Sequence, residues 1–412
     1  MNIDGIWSTA GNAWLLVSAA LVLFMTPGLA LFYGGLDRGR NLANMMMMNF
    51  WCLLVVPVLW VLLGFSLAQV PFDAGWIGGL DHAFLRGLGV TGEDGGFSLM
   101  VVAFLGMFAV ITPALISGAV AGRMRFRAWA VFVPVWVLLV YVPVFKWIYG
   151  GWLGSRGSLD FAGGTAIHVN AGIAALACVL VLGRRRAFPD RVPAPHSLPL
   201  VMIGAGILWF GWFGFNAGSA PAALASMGTA IQAFMNTFLA AASGGLAWLA
   251  VDALRGRKAT NVAVASGIVA GLVAVTPGAG YVTGMSAIAI GLVAGAVCPL
   301  AVGLKARLGY DDALDVIGVH FVAGLLGSLF VGVFADPAYF GASHKAGLFA
   351  GGGASLLLEQ LIANGAVIVY SFVVTALIML ALKATIGVRT AEGSEDAGLD
   401  AAEHGEHAYV AD

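Results

Sequence analysis

Two stretches decide the reading of this chain: DFAGGTAIHVNAGIAAL at Asp160–Leu176 and DALDVIGVHFVAGLLGSL at Asp312–Leu329. Each sets a histidine eight residues after an aspartate and continues as H-x-x-A-G, at His168 and at His320. The first opens the fifth long apolar run of the chain and the second opens the tenth. An offset of five runs means that the two copies enter an apolar layer from opposite faces. This is the mark of an inverted-topology repeat whose substrate path lies where the halves meet.

The rest of the sequence supplies that apolar layer. Of 412 residues, 60% are hydrophobic and only 10% charged, against about 45–50% and about 25% in soluble domains. Too little polar surface remains to coat a body in water. The 58 glycines suit membrane helices, where small residues let backbones approach. Windows of about 20 apolar residues, each long enough to cross a bilayer, recur eleven times. They run over 13–34, 43–69, 98–121, 128–146, 160–182, 198–217, 228–252, 261–278, 282–304, 313–334 and 356–383. Asp4 is acidic and no Lys or Arg precedes Arg38, so the basic start of a cleaved signal is missing and the first span is expected to be retained. The fold expected is an all-α polytopic membrane protein with eleven transmembrane helices in an inverted five-plus-five repeat.

Charge orients it. Sixteen of the 20 Lys and Arg fall in loops on one side, among them Arg38, Arg123, Arg185, Arg257, Lys305 and Arg389. The other side receives Arg86, Lys146, Arg156 and Lys345. Basic loops mark the cytoplasm, which puts the N-terminus outside and the C-terminus inside. A net charge of −1 gives no basic field for nucleic acid. Cys52, Cys178 and Cys298 are far apart in apolar runs, as expected of inert buried thiols. The chain is expected to divide into a transmembrane domain over 1–389 and a cytoplasmic acidic tail over 390–412. The tail holds seven carboxylates and few large apolar residues. Flexibility and a docking role are both open for it.

The twin histidines carry the chemistry. Eight helical residues rise about 12 Å, so each ring is expected well inside a hydrocarbon core of about 30 Å, one from each face. Ionisable residues at that depth are costly and point to function. Two neutral imidazoles can share one hydrogen bond and leave a nitrogen each for a passing donor or acceptor. Charging both at once is opposed by burial and by their repulsion. No carboxylate or thiol completes a tetrahedral metal set, so no metal or other cofactor is expected.

These residues resemble a known family. DFAGGTAIHVNAG at Asp160–Gly172, WFGWFGFNAGSA at Trp209–Ala220 and DDALDVIGVH at Asp311–His320 are similar to signatures of the Amt/Mep/Rh ammonium transporters. MTPGLALFYGGL at Met25–Leu36 matches too, and GLDAAEHGEHAY at Gly398–Tyr409 resembles the bacterial Amt tail. The resemblance implies that NH4+ is recruited at an outer site, loses its proton, and crosses as ammonia through an apolar pore. It implies pore histidines at His168 and His320 and gate rings at Phe108 and Phe215. It further implies recruitment by Phe108, Ser219 and an aromatic residue, and structural support from Asp160. Phe104, Trp212 and Thr276 match vestibule or pore-lining positions. Also implied are a homotrimer in the cell's inner membrane, nitrogen uptake, and a PII-type signalling protein at the tail; no enzyme chemistry is implied.

Two departures stand out. Where the family has a recruitment tryptophan, Tyr149 occupies the matching place in Lys146–Gly151, and Trp147 lies two residues away. An altered outer site is expected. Ala121-Gly122-Arg123 lacks the acidic residue that often precedes the arginine, which puts one cytoplasmic salt bridge in question. Rival readings are a channel for another small neutral solute such as urea or carbon dioxide, a receptor that barely conducts, and an intramembrane hydrolase using Ser219. The last lacks a G-x-S-x-G elbow and a third triad member.

Overall fold

The computed structural model describes residues 9–69, 75–90, 98–186, 188–190, 193–222, 226–340 and 344–409. Asp4, Arg191 and Asp412, used in the charge reading, lie outside them. The described residues are helical, with two isolated bridges, Gly89 to Ser98 and Met124 to Arg389. With no water to satisfy backbone groups in lipid, closed helical hydrogen bonding is the form available to such apolar runs.

Among the described residues, eleven helices are long and apolar enough to cross a membrane. They are α1 (Gly11–Leu36), α2 (Gly39–Gln69), α3 (Leu99–Val120), α4 (Phe126–Arg156), α5 (Gly164–Leu182) and α6 (Leu198–Ala217). The second group is α7 (Met227–Leu254), α8 (Asn261–Gly278), α9 (Gly284–Leu308), α10 (Ile317–Phe334) and α11 (Ser355–Thr385). The first helix of each half, α1 and α6, pack against one another along their length. Outward faces keep Leu54, Phe210, Leu246 and Val369 more than half exposed, a surface suited to lipid tails. The stretches Gly267–Gly271 and Gly291–Gly295 serve packing within the chain. A Cβ on Gly271 would stand 2.1 Å from the Ala240 carbonyl oxygen, and one on Gly295 would stand 2.1 Å from that of Gly244.

Two expected spans begin late. The fifth starts at Gly164 instead of 160, and the tenth at Ile317 instead of 313. In each the aspartate stays outside the helix and folds its carboxylate back over the helix start. His168 is thus the fifth residue of a π turn, Gly164–Val169, and His320 the fourth of another, Ile317–Phe321. The eight-residue helical rise assumed above does not apply.

The loops sort to two ends. Arg123, Arg185, Asp311, Arg389 and Arg38 are linked at one end, and Arg156, Lys345 and Glu359 cluster at the other. The acidic tail is packed on the basic end. Arg389 pairs with Glu395 at 2.7 Å and Arg38 donates to the Glu395 carbonyl at 2.8 Å. Asp400 accepts from the Asn44 N–H at 2.8 Å, and Glu403 accepts from the Phe126 N–H at 3.1 Å. Leu399 is buried as the anchor. Composition alone leaves such a segment looking flexible; its carboxylates in fact meet cations and free N–H groups spaced far away in sequence.

Candidate functional site

The two histidine segments are built to one plan. Asp160 accepts four backbone N–H bonds: Oδ1 from Gly163 at 2.9 Å and Gly164 at 2.7 Å, Oδ2 from Thr165 and Ala166 at 2.9 Å each. Asp312 accepts from the Ile317 N–H at 2.7 Å. Three residues after each aspartate the backbone turns left-handed, at Gly163 (φ 110°) and at Asp315 (φ 66°). Glycine takes that conformation freely, and aspartate is among the few side chains that tolerate it. A lysine steadies the second copy: Lys305 bonds the Asp315 carboxylate, and the Asp312 carbonyl at 2.9 Å. Burial pushes the Asp312 carboxyl up to about 6, Lys305 counteracting and Asp315 reinforcing. It stays mostly ionised at neutral pH and so remains a helix cap.

The motif glycines explain how the copies meet. A Cβ on Gly172 would lie 2.6 Å from the Phe321 backbone nitrogen, next to His320. One on Gly324 would lie 2.9 Å from the His168 Cβ. Each H-x-x-A-G glycine therefore receives the histidine turn of the opposite half.

That crossing brings the two rings edge to edge. His168 Nδ1 and His320 Nδ1 are 3.3 Å apart, with ring centroids at 5.4 Å and planes 17° apart. Phe108 and Phe215 pair at 4.3 Å, and Phe215 lies 6.1 Å from His168. Phe104 abuts Phe108 edge-on at 4.9 Å. Trp212 stacks on His168 at 5.4 Å and is held by donating to Thr276 Oγ1 at 2.8 Å. The column thus runs Phe104, Phe108, Phe215, His168, His320, all buried. Beside it lies a cavity of about 10 Å³, lined by both histidines, Trp212, Phe215 and the aliphatic side chains of α1, α3, α6 and α8. That is room for about one water-sized molecule, and ammonia is of that size. Among the described residues, His168 Nε2 has no hydrogen-bond partner.

The predicted outer residues are less closely gathered. Ser219 follows α6 and donates back to the Phe215 carbonyl at 2.8 Å, which leaves its oxygen free to accept. Tyr149 packs at a tilt on Phe145, with ring centroids 4.6 Å apart; among the described residues its ring contact is there, not with the Phe108–Phe215 pair. Trp147 is committed elsewhere. Its Nε1 donates to the Trp76 carbonyl at 2.8 Å and its ring packs on Tyr370 at 4.6 Å. It is in no position to replace a missing vestibule ring.

Sequence reading passed over Tyr33, whose hydroxyl lies 3.4 Å from His320 Nε2. The available signal was a tyrosine hydroxyl in the apolar run of α1, which also carries Ser18 and Thr26. At the basic end Arg123, fully buried, finds Asp311 at 3.9 Å, so the arginine has a carboxylate without an acidic neighbour in its own loop. Burial pushes Arg123 down to about 10, with Asp311 opposing, and it stays cationic at neutral pH. Burial would raise the Asp311 carboxyl, but Arg185 and Arg123 hold it below its ordinary value.

Comparison with known proteins matches this geometry to relatives. Residues 13–409 match the family model described as Ammonium Transporter Family. A protein of Mycobacterium tuberculosis H37Rv named ammonium transporter is 46% identical over 99% of this chain and 91% of its own length. One of Bacillus subtilis, of the same name, is 43% identical over 97% of this chain and 98% of its own. Among solved structures, Candida albicans Mep2 superposes with a TM-score of 0.88 at 34% identity, covering 96% of this chain and 89% of that one. A structure titled Sensor Amt Protein gives 0.88 at 29% identity, covering 96% and 98%. The Mycobacterium tuberculosis and Bacillus subtilis relatives are named as transporters, and the eleven helices make this a multi-pass membrane protein. The chain belongs to the Ammonium Transporter Family.

Proposed function

We propose that the chain recruits NH4+ from outside the cell's plasma membrane, strips its proton near Phe108 and Phe215, and conducts ammonia past His168 and His320 to the cytoplasm. The observation that carries this is the buried ring column ending at paired imidazoles beside a cavity of single-molecule size. Ammonium resembles potassium in size but brings four N–H donors. Aromatic faces offer roughly 0.5–2 kcal/mol each by cation–π contact, and Ser219 offers an acceptor. Farther in, apolar walls penalise a charge by several kcal/mol, which favours release of the proton. Its relay through the imidazoles or waters makes transport electrogenic, and we adopt that version; its return outside would make it neutral. The basic end faces the cytoplasm by the positive-inside rule.

The test is current in proteoliposomes after an ammonium jump, with potassium as control. Ammonium should evoke current and potassium none; equal responses would sink the proposal. In the same assay Tyr149→Ala should lower uptake and alter the apparent affinity, whereas an unchanged affinity would remove Tyr149 from the outer site. The sensor-titled neighbour supports a second reading, a receptor that binds ammonium and barely conducts; tight binding without flux would favour it. Assembly as a homotrimer is checked by the mass of the solubilised particle. A PII-type partner at the tail is checked by pull-down with and without the residues after Gly398.

A further inference from the structure

The inverted repeat accounts for α1 to α10 and leaves α11 without a counterpart. Buried polar side chains show what this helix holds: Gln360 and Asn364 on α11, Ser328 on α10 and Thr165 at the start of α5. Gln360 Oε1 accepts from the Leu159 N–H at 2.8 Å, and its Nε2 donates to the Leu159 carbonyl at 2.8 Å. The same nitrogen reaches the Ser328 carbonyl and hydroxyl oxygens at 3.0 Å each. One turn further on, Asn364 Nδ2 donates to Ser328 Oγ and to the Gln360 backbone carbonyl, each at 2.7 Å. Thr165 Oγ1 donates to Asn364 Oδ1 at 3.2 Å and lies 3.1 Å from Ser328 Oγ.

These bonds fall on the two ends of one loop. Leu159 immediately precedes Asp160, and Thr165 contributes one of the four N–H groups that the Asp160 carboxylate accepts. Leu159 lies between helices, where no helical ladder takes up its N–H and C=O, and unpaired backbone groups are costly away from water. The Gln360 amide carries an acceptor and two donors and meets Leu159 as a second peptide group would. A side chain that only joined two helices would need no such match to loop backbone. The second copy of the repeat has a clasp of different chemistry, in which Lys305 bonds the Asp315 carboxylate and the Asp312 carbonyl.

We propose that Gln360 and Asn364 are positioning residues: from α11 they clasp Leu159 and Thr165, hold the loop between them closed around the Asp160 carboxylate, and so set the turn that carries His168. The consequence for transport rests on the transport reading above; the clasp itself rests on the bonds.

The test uses two variants and a control. Gln360→Met keeps the length of the side chain and removes its bonds to Leu159 and Ser328. Thr165→Val removes a hydroxyl and leaves the backbone N–H to Asp160. The control, Thr375→Val, deletes the bond from Trp136 Nε1 to Thr375 Oγ1 at 2.9 Å, which joins α11 to α4 farther along the same helix. Hydrogen–deuterium exchange of the full chain in nanodiscs reads the amides of Gly163, Gly164, Thr165 and Ala166. In Gln360→Met they should exchange about tenfold faster, the scale of one lost hydrogen bond. Thr165→Val should act in the same direction, and Thr375→Val should match the wild type at these amides. Maximal ammonium current should fall in step with the exchange while apparent affinity is kept. Unaltered exchange in Gln360→Met and Thr165→Val, or equal acceleration in Thr375→Val, would overturn the proposal. So would faster exchange with wild-type current, which would reveal a helix tie and nothing more. Thr165→Val decides if Gln360→Met does not fold. An absence of ammonium current in the wild type would instead count against the transport reading and leave the exchange result to decide the clasp.

Discussion

Asp160→Ala should abolish ammonium current and lower the thermal stability of the solubilised protein more than any other single substitution at the site. The side chain satisfies four N–H groups at the start of α5 and is buried. Hydrogen bonds to a charged group contribute about 1.5–3 kcal/mol each, and an unsatisfied buried donor costs about 1–3 kcal/mol. Even with relaxation and some water entry, a loss on the order of several kcal/mol follows, a large share of the 5–15 kcal/mol typical of folded domains. The turn it holds carries His168, so that ring is displaced with it. Asp160→Asn should rescue little, because its amide turns two donors toward N–H groups that need acceptors. Asp312→Ala should be milder, since one direct bond from Ile317 is lost there. Normal current and an unshifted melting temperature in Asp160→Ala would show that the cap is dispensable.

The same residues show what a sequence can and cannot disclose here. Hydropathy made the eleven spans legible because a bilayer imposes one length on every helix. The edges went wrong at 160 and 313, since each aspartate carboxylate folds over the helix start to accept its first backbone N–H groups, a choice of backbone conformation that hydropathy does not register. The histidine pairing was legible from the repeat, because inversion forces equivalent positions together. The reach of Trp147 was not, since its partners Trp76 and Tyr370 lie 71 and 223 positions away and carry no pattern. Tyr33 was invisible for a like reason: its partner His320 lies 287 positions later. The docking of the tail depends on Asn41, Asn44 and Arg38, which in sequence look like ordinary loop residues.

Gly172→Ala and Gly324→Ala should each act on the histidine of the opposite half. The added carbon at 172 would sit 2.6 Å from the Phe321 nitrogen and 2.7 Å from its Cα, and backbone cannot swing aside as a side chain can. At 324 it would press on the His168 Cβ at 2.9 Å and the Gly164 carbonyl at 3.0 Å. Overpacking of this kind costs about 1–3 kcal/mol. Relief requires the two turns to separate, which stretches a Nδ1–Nδ1 contact already at 3.3 Å beyond useful hydrogen bonding. Current should therefore fall about tenfold, with a lower melting temperature. Gly365→Ala, where a Cβ meets nothing within 4 Å, serves as the control and should leave both unchanged. Equal behaviour of all three would mean that the crossing tolerates strain and the close approach has no functional weight.

The reciprocal seating of Gly172 and Gly324 makes the interior of this single polypeptide equivalent to an isologous two-fold interface, the kind that joins identical subunits. Neither half closes this contact by itself: the cleft that each glycine leaves is filled by the histidine turn of the other, so folding of either half is completed only when its counterpart is seated.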